Sequence, residues 1–172
     1  MIANARLIAS IRVVDLFGLY TYRLPAIGFL PDAAILYGDN GLGKSTLLRL
    51  AFHLLSTAND KGHRSALYST DFSLFEVELT SGVKLAAERV EKQGLRFLRL
   101  TIQREADTLA TWEYAPRGTS QHIIDADGAR LEFGPEGIIR HITPSKGQKS
   151  GSGPFGNEAY IAELKLHVPT MF

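Results

Sequence analysis

The residues of this chain with the clearest chemical potential lie between positions 38 and 46. Eight of them match the pattern G-x-x-x-x-G-K-[ST] without a mismatch, and a second hydroxyl residue follows: Gly38, Asp39, Asn40, Gly41, Leu42, Gly43, Lys44, Ser45 and Thr46. We call these residues the glycine loop. The pattern is typical of loops that bind the phosphates of a nucleoside triphosphate.

Each residue type in the glycine loop suits that chemistry. Glycines allow positive φ angles and a close approach of the backbone to phosphate, so the N–H groups of residues 40–46 can converge on an anion. A following helix would add its unpaired N–H groups and the positive end of its dipole. Lys44 is the expected catalytic cation between the β- and γ-phosphates, Ser45 the expected Mg²⁺ ligand, and Thr46 a contact to the α-phosphate. Without a ligand, we expect Lys44 to face solvent.

The segments on either side predict a strand, a loop and a helix in that order. Residues 33–37 form an unbroken apolar run of strand length, and residues 47–55 repeat apolar residues at helical spacing. We therefore predict a helix from Lys44 to near Ser56. Glycine makes up about 7% of average sequences, which puts a chance match in a chain of this size at roughly one in a hundred. The pattern and its flanks favour nucleotide binding over an ordinary glycine turn.

Composition indicates one ordinary domain without a membrane partner. The chain has 172 residues, 45% of them hydrophobic, and a net charge of +1. It contains no cysteine, which excludes disulfides and thiolate metal sites. Arg6 and Arg12 interrupt the first apolar residues too early for a signal peptide, and no apolar run approaches the ~20 residues of a membrane span. We expect a cytoplasmic protein.

The remaining sequence predicts mainly antiparallel β-structure. Short alternating or β-branched runs separated by turns indicate a hairpin followed by a meander; the predicted strands are residues 6–15, 20–24, 75–79, 83–88, 95–102 and 109–114. A helix is the alternative for residues 83–91, because Ala-Ala-Glu-Arg also favours helix.

Beyond residue 115 the signals weaken. We predict a turn at 125–128, a short strand at 138–142, a mobile loop at 146–154 and renewed order at 159–168. The predicted organisation is one α/β P-loop lobe over 1–172. It divides into a hairpin with strand, loop and helix (1–60), an antiparallel β-subdomain (63–143), a mobile loop (144–157) and the start of another element (158–172).

Together these features resemble the N-terminal lobe of an ABC-type P-loop ATPase. The likeness is to the branch of RecF, structural-maintenance-of-chromosomes and overcoming-lysogenization-defect proteins, commonly labelled "AAA family ATPase". Such proteins open with an antiparallel hairpin that carries a phenylalanine near its bend, here Phe17. Their loop has the form G-x-N-G-x-G-K-[ST]-[ST]-L-L, which residues 38–48 match. The resemblance covers residues 5 to about 115.

The resemblance implies ATP and Mg²⁺ as ligands and a homodimer that sandwiches two ATP molecules. It also implies an action linked to DNA, in repair, chromosome handling or phage defence, with a nuclease as a possible partner. Hydrolysis in this family needs an acidic pair after a four-residue apolar strand, and the nearest candidate, residues 123–125, reads better as a surface turn. No Ser-Gly-Gly signature or late histidine-ending strand appears. We therefore expect a truncated or split ATPase that needs a second lobe or the rest of its chain. Alone, it is expected to bind ATP weakly or not at all and not to hydrolyse it.

Three other functions stay open: a nucleotide-sensing module without turnover, the ATP-binding subunit of a transporter, and a P-loop kinase. Tyr20 or Tyr22 could stack on a nucleotide, although packing is as probable a role. A basic sector could contact DNA, but interleaved glutamates favour a solvated face of mixed charge; it comprises Arg89, Lys92, Arg96, Arg99 and Arg104. The five histidines show no close pairing, so a metal centre is not expected and His53 is read as structural. Gln148 is a weak candidate for an Mg²⁺ contact.

Overall fold

Two antiparallel sheets and three helices make up the described part of the chain. A computed structural model describes residues 7–31, 33–58, 61–92, 95–115, 123–124, 130–133, 139–142 and 157–168. The first sheet contains β1 (Ile8–Leu16), β2 (Tyr20–Leu24), β3 (Leu74–Leu79), β4 (Val83–Lys92), β5 (Leu95–Arg104) and β6 (Asp107–Tyr114). The second contains β7 (Ile123–Ile124), β8 (Arg130–Phe133) and β9 (Ile139–Ile142). The helices are α1 (Lys44–Leu55), α2 (His63–Ser69) and α3 (Asn157–His167).

The first sheet joins the predicted hairpin and the predicted meander into a single layer. Its strand order is β2-β1-β3-β4-β5-β6, and every neighbouring pair is antiparallel. The α/β class and the antiparallel strands are thereby confirmed. The ambiguous segment 83–91 is strand, because β4 pairs along its length with β5 and over residues 84–88 with β3. Helix propensity is a weak preference that two strand partners override.

Alternation along the strands gives the sheet one apolar face, which the helices cover. On β3 the buried positions are Phe75, Val77 and Leu79, and the neighbouring strands continue this inner face. Helix α1 presents four buried residues to the same core: Leu47, Leu50, Ala51 and Leu54. Helix α3 packs against β5 and β6. The result is a layer of helices on one face of a sheet, with the core between them.

Salt bridges pair the charges of the outer face. Arg12 Nη1 lies 3.6 Å from Glu76 Oε2 across β1 and β3. Arg99 on β5 contacts Glu113 at 3.2 Å and Glu88 at 3.5 Å. This pattern is that of a solvated face of mixed charge.

Several expectations fall outside the described residues, namely the turn at 125–128, the mobile loop at 146–154 and Gln148. The apolar pair before Asp125 forms the two-residue strand β7, which lies in the second sheet.

No described helix is long and apolar enough to cross a lipid bilayer.

We predict that the inner face of β4 is a main source of stability. Leu85 is fully buried, so Leu85→Ala should lower the free energy of unfolding by about 2–5 kcal/mol, through lost burial and the cavity that remains. Leu109→Ala on the exposed edge of β6 is the matched control and should cost less than about 1 kcal/mol. Urea unfolding measures both. Equal losses would contradict the assignment of the two faces.

Candidate functional site

Positive φ angles shape the glycine loop. Gly38, Gly41 and Gly43 have φ values of 153°, 90° and 78°, a region that residues with a Cβ rarely adopt. Gly43 also lies against the tip of the β1–β2 hairpin. A Cβ at Gly43 would lie 2.7 Å from Cδ2 of the buried Leu16, whereas one at Gly41 would meet nothing within 4 Å. The sequence pattern identified the glycines, but it did not reveal that Leu16 supports the loop.

Lys44 closes the loop by binding its backbone. The ammonium nitrogen Nζ donates to the carbonyl oxygen of Gly38 at 2.5 Å and to that of Asp39 at 2.6 Å. The side chain is half-buried, so the expectation of a solvent-facing lysine is wrong. An ammonium group has three N–H donors. Two are used by the loop carbonyls, and the third remains for a ligand.

No described side chain caps the backbone N–H donors in the first turn of α1. Gly43 is the N-cap residue, with no side-chain hydrogen bond, and no acidic residue occurs in the first turn. Helix N-termini leave backbone N–H groups unpaired and carry a partial positive charge. Ser45 is exposed, and Thr46 is half-buried with its Oγ1 accepting a 3.5 Å bond from Arg49 Nη2. This end of α1 therefore suits an anion.

The strand predicted just before the loop is not formed. Residues 33–39 have no regular secondary structure, and the side chains of Ile35 and Tyr37 are 93% and 99% exposed. A strand needs a neighbour to pair its backbone groups, and no described strand lies beside this segment. Apolar sequence thus indicates a strand, but it cannot supply the partner.

Other large apolar side chains are exposed on the same part of the chain. Ile27 and Phe29 precede residues 33–39, which we call the unpaired segment, and Leu48 and Phe52 lie one helical turn apart on α1. Helix α1 thus has exposed apolar residues in addition to the buried ones that face the sheet. Exposed apolar side chains that form one contiguous patch are typical of surfaces that bind another protein segment.

Tyr22 connects the hairpin to the loop. Its hydroxyl donates to the carbonyl oxygen of Leu42 over 3.2 Å, and its ring stacks on Tyr20 with centroids 5.8 Å apart. A cavity of about 120 Å³ opens between the hairpin, the unpaired segment and α1. It is lined by Tyr22, Leu24, Leu36, Tyr37, Leu42, Gly43, Lys44 and Leu47. No local sequence pattern indicates that this hydroxyl contacts the loop.

Helix α2, which sequence reasoning missed, holds the other end of α1. Arg64 is buried, and its two terminal nitrogens donate to the carbonyl oxygens of His53 and Ser56, each over 2.7 Å. These bonds satisfy carbonyls at the C-terminal end of α1, which the helix leaves unpaired. The guanidinium carbon of Arg64 lies 5.9 Å from the centroid of the Trp112 ring and 5.8 Å from that of the Tyr160 ring.

Two histidines meet at the same junction, so the expectation of no close pairing is wrong. His53 Nδ1 lies 3.0 Å from His63 Nδ1, which requires one ring to donate and the other to accept. Partial burial, then the charges of Arg49 and Arg64, lower the pKa of His53. A structural role for His53 agrees with this contact. The described residues contain no group of three or more histidine, aspartate or glutamate side chains that could hold a metal.

Two arginines of the basic sector have internal partners. Arg89 donates to the carbonyl oxygens of Tyr68 and Thr70 at the end of α2, and Arg99 lies between Glu88 and Glu113. Arg96 and Arg104 are exposed, and the side chain of Lys92 lies outside the described residues. The described contacts therefore favour the solvated-face interpretation over a DNA contact.

Neither the family models nor the curated proteins match this chain.

We predict that Gly43→Ala is more damaging than Gly41→Ala. Both changes place a Cβ at positive φ, at a cost of about 1–2 kcal/mol. Only Gly43→Ala also forces Leu16 to move, which adds about 1–3 kcal/mol of overpacking. Thermal and urea unfolding of the two variants provide the comparison. A smaller loss for Gly43→Ala would contradict the contact with the hairpin.

We predict a pH dependence from the histidine contact. The pKa of His53 in the folded protein lies below its ordinary value of 6.5, so the unfolded chain takes up its proton first as pH falls. The contribution of His53 to the free energy of unfolding is complete above about pH 6.5. It is lost as pH falls toward the pKa that His53 has in the folded protein. His53→Gln should reduce the difference in the free energy of unfolding between pH 7.5 and pH 5.5. An unchanged difference in that variant would rule out His53 as the cause of the pH dependence.

Proposed function

We propose that this chain is the nucleotide-binding lobe of an ABC-type P-loop ATPase and that the glycine loop binds the phosphates of ATP with Mg²⁺. The observation that carries the proposal is the arrangement of donors around Lys44. A half-buried ammonium group, held by two loop carbonyls, stands at the uncapped start of α1. The loop sequence from Gly38 to Thr46 supplies the backbone N–H groups, and its glycines allow close approach.

Electrostatics supports an anionic ligand at this position. The start of a helix carries roughly half an elementary positive charge, and Lys44 adds a full one. The first turn has no acidic side chain to offset them. A triphosphate would therefore gain charge-assisted hydrogen bonds, which are shorter and stronger than neutral ones.

Magnesium fits the proposal as a companion of the triphosphate. The described residues hold no cluster of acidic or histidine ligands for a metal alone, and Mg²⁺ is commonly bound by one or two protein oxygens together with substrate phosphates. The exposed Ser45 hydroxyl is the protein oxygen that we assign to it. Magnesium would neutralise phosphate charge at this position.

The unpaired segment before the loop supports a partner. An unbroken apolar run is typical of a strand that is buried on both faces of a parallel sheet. Because Ile35 and Tyr37 are almost fully exposed here, such burial would have to come from a partner. We propose that strands of a second ATPase part, from the rest of the protein or from another polypeptide, pair with residues 33–37. Hydrolysis, dimerisation through ATP and an action on DNA would belong to that assembly.

A nucleotide sensor without turnover is the second candidate. It is favoured by the sequence, because hydrolysis in the family that the sequence resembles uses an acidic pair after a four-residue apolar strand, and only two apolar residues precede Asp125. A sensor would bind ATP and release it unchanged. Single-turnover measurement of ADP formation by the assembled protein separates the two candidates.

We predict that Lys44→Ala strongly weakens phosphate binding without unfolding the chain. Titration of ¹⁵N-labelled protein with Mg·ATP should shift the backbone amide signals of Gly41 and Gly43. Lys44→Ala should weaken this binding at least about tenfold, since a hydrogen bond to a charged group contributes about 1.5–3 kcal/mol. Lys84→Ala on the exposed side of β4 removes the same charge far from the loop and serves as the control. Equal affinities of wild type and Lys44→Ala would refute the site.

We predict that Ser45→Ala affects metal-dependent binding most. The hydroxyl is assigned to Mg²⁺, so its loss should weaken binding of Mg·ATP more than binding of ATP in EDTA. Calorimetry under both conditions gives the two affinities. Equal losses with and without magnesium would dismiss the role assigned to Ser45.

A further inference from the structure

We infer that Tyr22 is a positioning residue of the phosphate site, which it serves by fixing the peptide group between Leu42 and Gly43. The inference rests on the proposed function of the glycine loop and explains how one of its donors is held ready. It also gives Tyr22 a role different from stacking on a nucleotide base.

The first observation is the hydrogen bond from the Tyr22 hydroxyl to the carbonyl oxygen of Leu42, at 3.2 Å. A trans peptide group is planar, and its C=O and N–H point in opposite directions. When the Leu42 carbonyl turns toward Tyr22, the N–H of Gly43 must therefore turn away from it. A single bond to the carbonyl thus sets the direction of a donor on the opposite side of the loop.

The second observation explains why this peptide needs to be held. Glycine adopts positive and negative φ with similar ease, so the Leu42–Gly43 peptide can rotate at small cost. A rotation would exchange a donor for a carbonyl oxygen, which repels phosphate. The side chain of Leu42 lies near Gly38, since its Cδ1 is 3.1 Å from the point where a Cβ on residue 38 would stand. The tyrosine hydroxyl contacts the backbone of Leu42, so it restrains the peptide plane.

The third observation concerns how Tyr22 itself is held. It lies on β2, paired with Val13 of β1, and Val13 is fully buried in the core. Its ring stacks on Tyr20 at an interplanar angle of 11°, which covers one face. A rigid strand and a neighbouring ring therefore aim the hydroxyl at the loop. With one face covered by Tyr20, only the other face of the ring is left for a base.

Tyr22→Phe is the decisive variant, because it keeps the ring and removes only the hydroxyl. Tyr20→Phe is the matched control on the same strand. Affinities for Mg·ATP and for magnesium tripolyphosphate, which has no base, are measured by NMR titration of the full chain. Tyr22→Phe should weaken binding of both ligands by the same factor, about two- to tenfold, as expected for one neutral hydrogen bond. Without ligand, the amide signal of Gly43 should shift in Tyr22→Phe and not in Tyr20→Phe.

Each other outcome overturns the inference. A loss for Mg·ATP alone would assign Tyr22 to the base, and no loss for either ligand would remove it from the site. In both cases the proposed function survives if Lys44→Ala still weakens binding at least about tenfold. If the wild-type chain binds neither ligand, the proposed function and the inference fail together. Thermal unfolding of Tyr22→Phe at the wild-type midpoint confirms that any lost affinity is not lost folding.

Discussion

The proposed phosphate site depends on the ammonium group of Lys44, which binds backbone carbonyl oxygens of the same loop. Lys44 begins α1, yet its ammonium group reaches back to the carbonyls of Gly38 and Asp39. This pair of bonds closes residues 38–44 into a ring and orients two carbonyls toward a positive charge that compensates them. A loop that exposed those carbonyls to phosphate would repel it. The lysine therefore organises the loop, and its positive charge would attract the phosphate that we propose as the ligand.

The surrounding fold holds this ring from two sides. At the hairpin, Leu16 and Tyr22 contact Gly43 and Leu42, so the antiparallel sheet supports the loop directly. At the far end of α1, the buried Arg64 binds the carbonyl oxygens of the last turn. Helix α1 is thus fixed at both ends, and its first-turn donors keep their direction. A preorganised donor set loses less free energy on binding than a loop that must first fold.

Sequence patterns predicted the parts of this structure that depend on local signals. Alternation found the strands of the first sheet, and helical spacing found α1, because both periods are visible within a few residues. The loop was identified by residue type alone. Residues 33–37 could not be judged locally, since strand formation depends on partners elsewhere in space. The contact of His53 with His63, and the bonds of Lys44 and Tyr22 to the loop, also required coordinates, because they join segments through tertiary geometry.

The most direct test is a crystal structure of the full chain grown with a non-hydrolysable Mg·ATP analogue. The β- and γ-phosphates should lie at the first turn of α1, within hydrogen-bond distance of Gly43 N–H and Lys44 Nζ. The Tyr22 hydroxyl should remain on the Leu42 carbonyl. A well-ordered analogue bound elsewhere, with the ring between Gly38 and Lys44 unliganded, would contradict a phosphate site in the glycine loop.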